Sequence, residues 1–244
     1  VTTVSVQLYS VRDEFAERPG EVLQRLAAIG FTQVEPYGLV ENAAVLRTGL
    51  RESGLTAPTA HAQLIDADQR AVFEVAAECG VSVVIDPFVP AEKWRGVDDI
   101  AATAKALNAA AAIAHEYGVT VGYHNHWWEL ESRIDGRSAF EVFADRLDPE
   151  LVLEVDTYWA VAGGEDAPAL LRRLGDRVHA IHVKDGGLAT DASGQVPAGQ
   201  GRLAVADVLA AAPKALRVVE FDRYDGDIFD GIAASFAYLQ GRAG

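Results

Sequence analysis

The chain has 244 residues, half of them hydrophobic, with 36 acidic against 21 basic side chains and a formal net charge of −15. A surface of that sign repels polyanions, so nucleic acid is excluded as the expected partner, and the single cysteine, Cys79, rules out an intrachain disulfide and is expected to pack. No apolar run approaches the roughly 18 residues of a membrane span and the start shows no leader pattern, so a single cytoplasmic domain over residues 1–244 is expected.

In chain order, short runs rich in Val and Ile alternate with amphipathic stretches. Predicted strands cover Val4–Leu8, Thr32–Glu35, Thr56–His61, Ser82–Asp86, Thr120–His124, Leu151–Asp156, Val178–Lys184 and Arg217–Phe221, each followed by an expected helix of ten or more residues. Four helical patterns end in Gly30, Gly54, Gly80 and Gly118, read as C′ caps because glycine takes positive φ without a Cβ clash. The clearest helix carries Ile100, Ala104, Leu107 and Ala111 on one face, with His115 expected at the surface of its last turn. From Gly186 to Arg202 the chain is glycine-rich and aperiodic, which predicts a long loop after the seventh strand. Eight such units predict a (β/α)8 TIM barrel. A doubly wound open sheet is the alternative, but no strand leads into a GxGxxG turn.

Barrel enzymes place their chemistry at the C-terminal ends of the strands. Here those ends are polar: Glu35, His61, His124-Asn125-His126, Asp156, His182-Val183-Lys184-Asp185 and Glu220-Phe221-Asp222. Asp156, His182 and Glu220 stand on successive strands and can converge near the barrel axis as ligands for one divalent metal. Without a thiolate the set suits Mn²⁺ or Mg²⁺ first, with Co²⁺ and Zn²⁺ possible; a hydrogen-bonded network with no metal is the alternative. Glu154, of the same strand parity as Asp156, is expected to face the interior one layer down, paired with a cation or polar neighbour. Glu35, His61 and Asp222, with the aromatics Tyr9 and Trp159, are the expected substrate contacts; Trp127, Trp128 and Tyr158 share their loops with Trp159.

At these residues the chain resembles the sugar phosphate isomerase/epimerase group of the xylose isomerase-like barrels. The motifs are VQLYSVRDEF (Val6 to Phe15), YHNHWWEL (Tyr123 to Leu130), LEVDTYW (Leu153 to Trp159), IHVKD (Ile181 to Asp185) and VVEFD (Val218 to Asp222). The resemblance implies metal ligation by Asp156, His182 and Glu220. It departs at the fifth strand end, where ketose 3-epimerases carry Glu and this chain carries His124. Inosose dehydratase-like relatives pair an HxH there with a downstream Glu, so Glu129 is the expected fourth ligand and His124 the alternative.

The resemblance implies a metal-dependent isomerase or epimerase acting on a sugar or keto-sugar through an enediolate, with Glu220, His124, His126 and Lys184 as catalytic groups. The same intermediate serves a lyase if a β-hydroxyl or alkoxy group leaves, and a non-catalytic sugar-binding subunit is a further alternative. The apurinic endonuclease branch of the fold would require three zinc ions and a cationic groove. No arginine cluster stands at the last two strand ends, which favours a non-phosphorylated substrate. Homo-oligomerisation stays open.

Overall fold

A computed structural model of the chain describes residues 3–241. Seven parallel strands share one sheet: β1 (Val4–Val6), β2 (Thr59–His61), β3 (Val83–Asp86), β4 (Thr120–His124), β5 (Val152–Asp156), β6 (Val178–Val183) and β7 (Leu216–Val219). Their order is β1-β7-β6-β5-β4-β3-β2, which leaves β1 and β2 at the two edges. Residues 31–37 fill the gap between them. Glu35 N donates to Val6 O at 2.8 Å and Leu8 N to Glu35 O at 2.9 Å on one side; on the other, Val34 N donates to Thr56 O at 2.9 Å and His61 N to Pro36 O at 2.7 Å. The sheet thereby closes into a (β/α)8 barrel.

The expected strand Thr32–Glu35 is therefore in place but is not a regular ladder. It pairs through isolated bridges, Gln7 with Glu35, Gln33 with Thr56 and Tyr37 with His61. Pro36 and Pro58 lack the N–H that a ladder needs, and the second of them delays the start of β2 to Thr59. At the other end β7 stops at Val219, so Glu220 and Phe221 lie just beyond the strand that was expected to contain them.

The four predicted cap glycines all take positive φ, at 119°, 72°, 74° and 68° for Gly30, Gly54, Gly80 and Gly118. The helices Pro19–Ile29, Ala43–Ser53, Gln69–Glu78, Val97–Ala114 and Ile228–Gly241 meet the expected length. After β4, β5 and β6 they do not. Trp128–Glu131 and Ala139–Ala144 are separated by a hairpin turning at Asp135 and Gly136, both at positive φ, and Thr157–Ala162 and Ala167–Leu174 break at Gly163-Gly164. After β6 only Val205–Ala211 follows, because the long loop takes up the intervening chain.

Asp185 gathers much of that loop. Asp185 Oδ2 accepts from Gly199 N and Gly201 N at 2.9 Å each, and Oδ1 accepts from Gly186 N and Leu203 N at 2.8 and 3.0 Å. A Cβ on Gly201 would collide with the same carboxylate, so only glycine lets the backbone come this close.

The outward-facing residues of the strands, such as Leu153, Val155, Ile181 and Val219, are buried against the helices in one large apolar cluster. Cys79 packs at its edge and His115 is exposed, as expected. Among the described residues no helix is long and apolar enough to cross a membrane.

Candidate metal centre and cavity

Strand register brings the site together. Glu154 pairs with His124 across β5 and β4, and Asp156 pairs with His182 across β5 and β6. A register shift makes the second pairing possible: Leu153 lies opposite Val178 but Glu154 lies opposite Ala180, so His179 is the extra residue. Without this bulge Asp156 would oppose Ile181, and His182 would point to the helices instead of the barrel interior. Val218 of β7 pairs with His182, and Glu220, two residues on, rises above it.

One ligand atom from each of His124, Asp156, His182 and Glu220 lies within 4.8 Å of the others, and all four side chains are buried. Asp156 Oδ1 caps the helix Thr157–Ala162 by accepting from Trp159 N at 2.8 Å, which leaves Oδ2 for the centre of the group. Asn125 fixes the Asp156 backbone by donating to its carbonyl and accepting from its N–H, at 3.2 and 3.0 Å. His182 Nδ1 is 2.6 Å from Glu220 Oε2. Lys184 Nζ reaches Asp156 Oδ2 at 2.8 Å, Glu220 Oε2 at 2.6 Å and Asp222 Oδ2 at 2.8 Å.

The charges sort into distinct states. Burial opposes ionisation of Glu220, but Lys184 and His182 together hold its carboxyl well below the usual range. Burial pushes Asp156 up to about 6 in spite of Lys184. For Lys184 the burial penalty is overcome by Asp156, Asp222 and Glu220, which hold the ammonium protonated. Burial, followed by the His182 charge, drives His124 down to about 3, so its ring is neutral and has a lone pair to give.

This donor set fits a divalent cation. Two imidazoles and two carboxylates converge without a thiolate, and Asp156 Oδ2, although in ionic contact with Lys184, has no hydrogen-bond partner of good geometry.

Glu129, the expected fourth ligand, is buried elsewhere. Its Oε1 accepts from Tyr123 OH at 2.8 Å and its Oε2 from His126 N at 3.0 Å, so both oxygens are engaged outside the converging group. Burial raises its carboxyl to about 8. The four-donor group holds His124 in its place.

Above the group opens a cavity of about 860 Å³. His61, His124, His126, Lys184, Glu220 and Asp222 form its floor, and Tyr9 and Phe88 stand at its mouth. Glu35 lies below the floor, where it accepts from Gln7 Nε2 at 2.9 Å and from Thr59 Oγ1 and contacts His182 Nε2 at 2.7 Å. Trp159 does not line the cavity either. It packs with Tyr158 and Ala192 under the long loop, with Lys184 Nζ 5.2 Å from its ring centroid.

Three residues that shape the cavity were not singled out by sequence. Tyr37 meets Tyr9 edge to face at 5.5 Å, and Phe88 meets His126 in the same way at 5.6 Å. Gln195, in the long loop, donates to Asp222 Oδ2 and accepts from Asp222 N, both at 2.8 Å. Phe88 had a signal: it follows Asp86, a strand-end carboxylate that orders two loops by accepting from Leu64 N, Ile65 N and Phe88 N.

Comparison with known proteins agrees with the barrel fold. An inosose dehydratase of Clostridium tetani is 30% identical over 100 residues, 41% of this chain and 30% of that protein, so the matched stretch spans under a third of the relative's length. A sugar phosphate isomerase/epimerase structure from Parabacteroides distasonis superposes with a TM-score of 0.84 at 23% identity, over 99% of this chain and 94% of that one. The IolI protein, solved with a bound zinc atom, superposes with a TM-score of 0.75 at 14% identity, over 99% of this chain and 98% of that one. Residues 21–216 match the model of one family, and the chain belongs to it: the xylose isomerase-like TIM barrels.

Proposed function

We propose that the chain is a divalent-metal-dependent enzyme that shifts a proton on the carbon beside a carbonyl of an uncharged, sugar-like hydroxy-carbonyl compound, as an isomerase or epimerase. The observation that carries this reading is the convergence of His124, Asp156, His182 and Glu220 at the C-terminal rim, with His124 and Glu220 lining a cavity of about 860 Å³ and Asp156 and His182 buried behind them. Those four residues would hold the ion, and their mixture of imidazole and carboxylate suits Mn²⁺ ahead of Zn²⁺, Co²⁺ or Mg²⁺. When bound, such an ion polarises adjacent carbonyl and hydroxyl oxygens and so acidifies the neighbouring C–H.

The chain's own groups supply the rest. Glu220 is held ionised and can accept the proton from carbon. The Lys184 ammonium is kept charged and donates to the substrate oxygen on which negative charge develops. Asp222 offers an acceptor and His61 a ring nitrogen to hydroxyl groups at the floor. Among the described residues, and apart from imidazoles, Lys184 is the one cationic side chain lining the cavity, and three carboxylates neutralise it, which disfavours a phosphorylated substrate.

A second reading, dehydration, is favoured by His126. Its ring stacks on Trp128 at 4.3 Å, lines the cavity and leaves a buried Nδ1 without a hydrogen-bond partner, 3.9 Å from Glu129 Oε1. Burial keeps it neutral, so it can relay a proton to a departing hydroxyl. The similarity to an inosose dehydratase supports the same chemistry.

Turnover of ketoses, keto-inositols and 3-keto-glycosides with Mn²⁺ in D₂O tests both. Deuterium at the reacting carbon of a product with an unchanged skeleton marks the isomerase. Release of water or an alcohol with new ultraviolet absorbance marks the lyase. Binding of these compounds without any turnover would overturn both in favour of a sugar-binding protein, and three zinc ions per chain would overturn them in favour of nuclease chemistry.

A further inference from the structure

One layer below the metal-binding group lies a second buried cluster, built on Glu154. A single oxygen, Oε1, lies 2.6 Å from His61 Nε2, 3.1 Å from His124 Nδ1 and 2.9 Å from His182 Nε2, while Oε2 has no partner. Two of these rings also reach the layer above through their other nitrogen. His124 Nε2 faces Asp156 Oδ2 at 4.0 Å, and His182 Nδ1 faces Glu220 Oε2 at 2.6 Å. Each ring spans from one carboxylate layer to the next.

An ionised carboxylate only accepts, so a ring nitrogen bonded to it carries the proton. In the metal-free chain His182 faces carboxylates at both nitrogens and holds a proton on each, so binding a cation requires one of them to leave; the ring then has, like His124, one N–H and one lone pair, and a metal needs the lone pair. Left free, each ring could turn its N–H toward the cation. We propose that Glu154 is a positioning residue that prevents this by fixing His124 as the Nδ1–H tautomer and His182 as the Nε2–H tautomer. The two rings therefore offer opposite nitrogens, Nε2 and Nδ1, to one ion. Glu35 Oε1, 2.7 Å from His182 Nε2, reinforces the second assignment. The inference rests on the metal-binding reading above and adds that Glu154 contacts both imidazole ligands from below, alone at His124 and together with Glu35 at His182.

The experiment is long-range proton–nitrogen NMR of the histidine rings in the native chain loaded with Zn²⁺, together with Zn²⁺ titration of Glu154→Gln. The expected spectrum has the proton on Nδ1 of His124 and on Nε2 of His182. Loss of the carboxylate is expected to weaken Zn²⁺ binding about 10- to 100-fold, the usual scale for an outer partner of a metal-bound histidine, with an unchanged circular dichroism spectrum. A proton on His124 Nε2 or His182 Nδ1 in the loaded native protein overturns the proposal, and this measurement does not depend on the variant folding. Native affinity in Glu154→Gln also overturns it. A second Zn²⁺ equivalent lost in that variant would make Glu154 a ligand, which overturns its positioning role while leaving the first site intact. Failure of the native chain to bind Zn²⁺ removes the metal reading and this inference together.

Discussion

The two ends of the barrel obey opposite rules. At the N-terminal ends the strands begin with Val4, Thr59, Val83, Thr120, Val152, Val178 and Leu216, residues suited to β-structure and packing. At the C-terminal ends stand His61, Asp86, His124 and Asp156, with Lys184 and Glu220 just past β6 and β7, all of them buried. Burying that many ionisable groups opposes folding unless they find partners, and here they pair with other buried charges or, for Asp86, with backbone N–H groups. The difference teaches that the C-terminal layer is kept for chemistry and the outward-facing residues for stability, so substitutions at the two should separate activity from folding.

The largest effect is expected from Glu220→Gln. It removes a proposed ligand, a proposed base and the partner of both His182 Nδ1 and Lys184 Nζ. Turnover should fall by several powers of ten. Metal content by elemental analysis should fall with it, while the far-ultraviolet dichroism stays native. Near-native turnover would remove the proton-shift mechanism in both its forms.

Leu153→Ala is the opposite experiment. Leu153 neighbours Glu154 in sequence but points the other way, into the apolar layer, and is fully buried there. Its truncation should cost about 2–5 kcal/mol in urea unfolding, as large-to-small core changes do. Activity per folded molecule should be unchanged. A specific loss of kcat at full folding would mean that the strand transmits strain to the site and that the two layers are not separable.

Much of this division was legible in the sequence. Strand-end residues could be read because period-two alternation fixes which residues face the interior once a strand is located, and the structure brings Asp156, His182, Glu220 and Lys184 together. The placement of Glu129 could not be read. HNHWWE gives the spacing of a potential ligand, but the short helix at Trp128–Glu131 and the Tyr123 hydroxyl decide where the carboxylate turns. Trp159 lies away from the cavity for a related reason: the loop that buries it is aperiodic, and hydrogen bonds of Asp185, Gln195, Tyr158 and Ser235 fold it over the aromatic side chains. The bulge at His179 leaves no signature in the run Val178–Lys184, although it sets the register of the whole site.

Glu129 gives a sharper test within the C-terminal layer, because its carboxyl is raised by burial to about 8 from an ordinary value near 4.5. A carboxyl raised on folding binds its proton more tightly in the native state. Its contribution to stability is whole below about pH 4.5 and is lost as pH climbs through about 8. The loss should be on the order of a few kcal/mol. Glu129→Gln should flatten this decline between pH 5 and pH 8 in urea melts of the metal-free chain, and metal affinity should change far less than in His124→Gln. A steep decline that persists in Glu129→Gln would assign the titration to other groups, and a collapse of metal affinity would return the fourth ligand to Glu129.

The smallest effect is expected at the mouth of the cavity, where Tyr9, Val40 and Phe88 are 43%, 42% and 43% exposed. Of the five large hydrophobic side chains most exposed among the described residues, these three line one opening, whereas Val45 and Val97 lie away from it. Phe88 touches Trp128 and His126 edge to face, and its place is set by the backbone bond from its N–H to Asp86. Removing the ring should therefore leave the loop folded, with a stability change within about 0.5 kcal/mol. It should also leave the floor of the cavity intact. If the ring packs on the C–H face of a bound sugar, Phe88→Ala should raise KM several-fold with kcat nearly unchanged, the pattern of a contact made equally in the ground and transition states. Val97→Ala, equally exposed but outside the cavity, should change neither constant. A fall in kcat in Phe88→Ala at constant KM would instead mean that the ring acts through His126, and would move Phe88 from the mouth of the cavity into its chemistry.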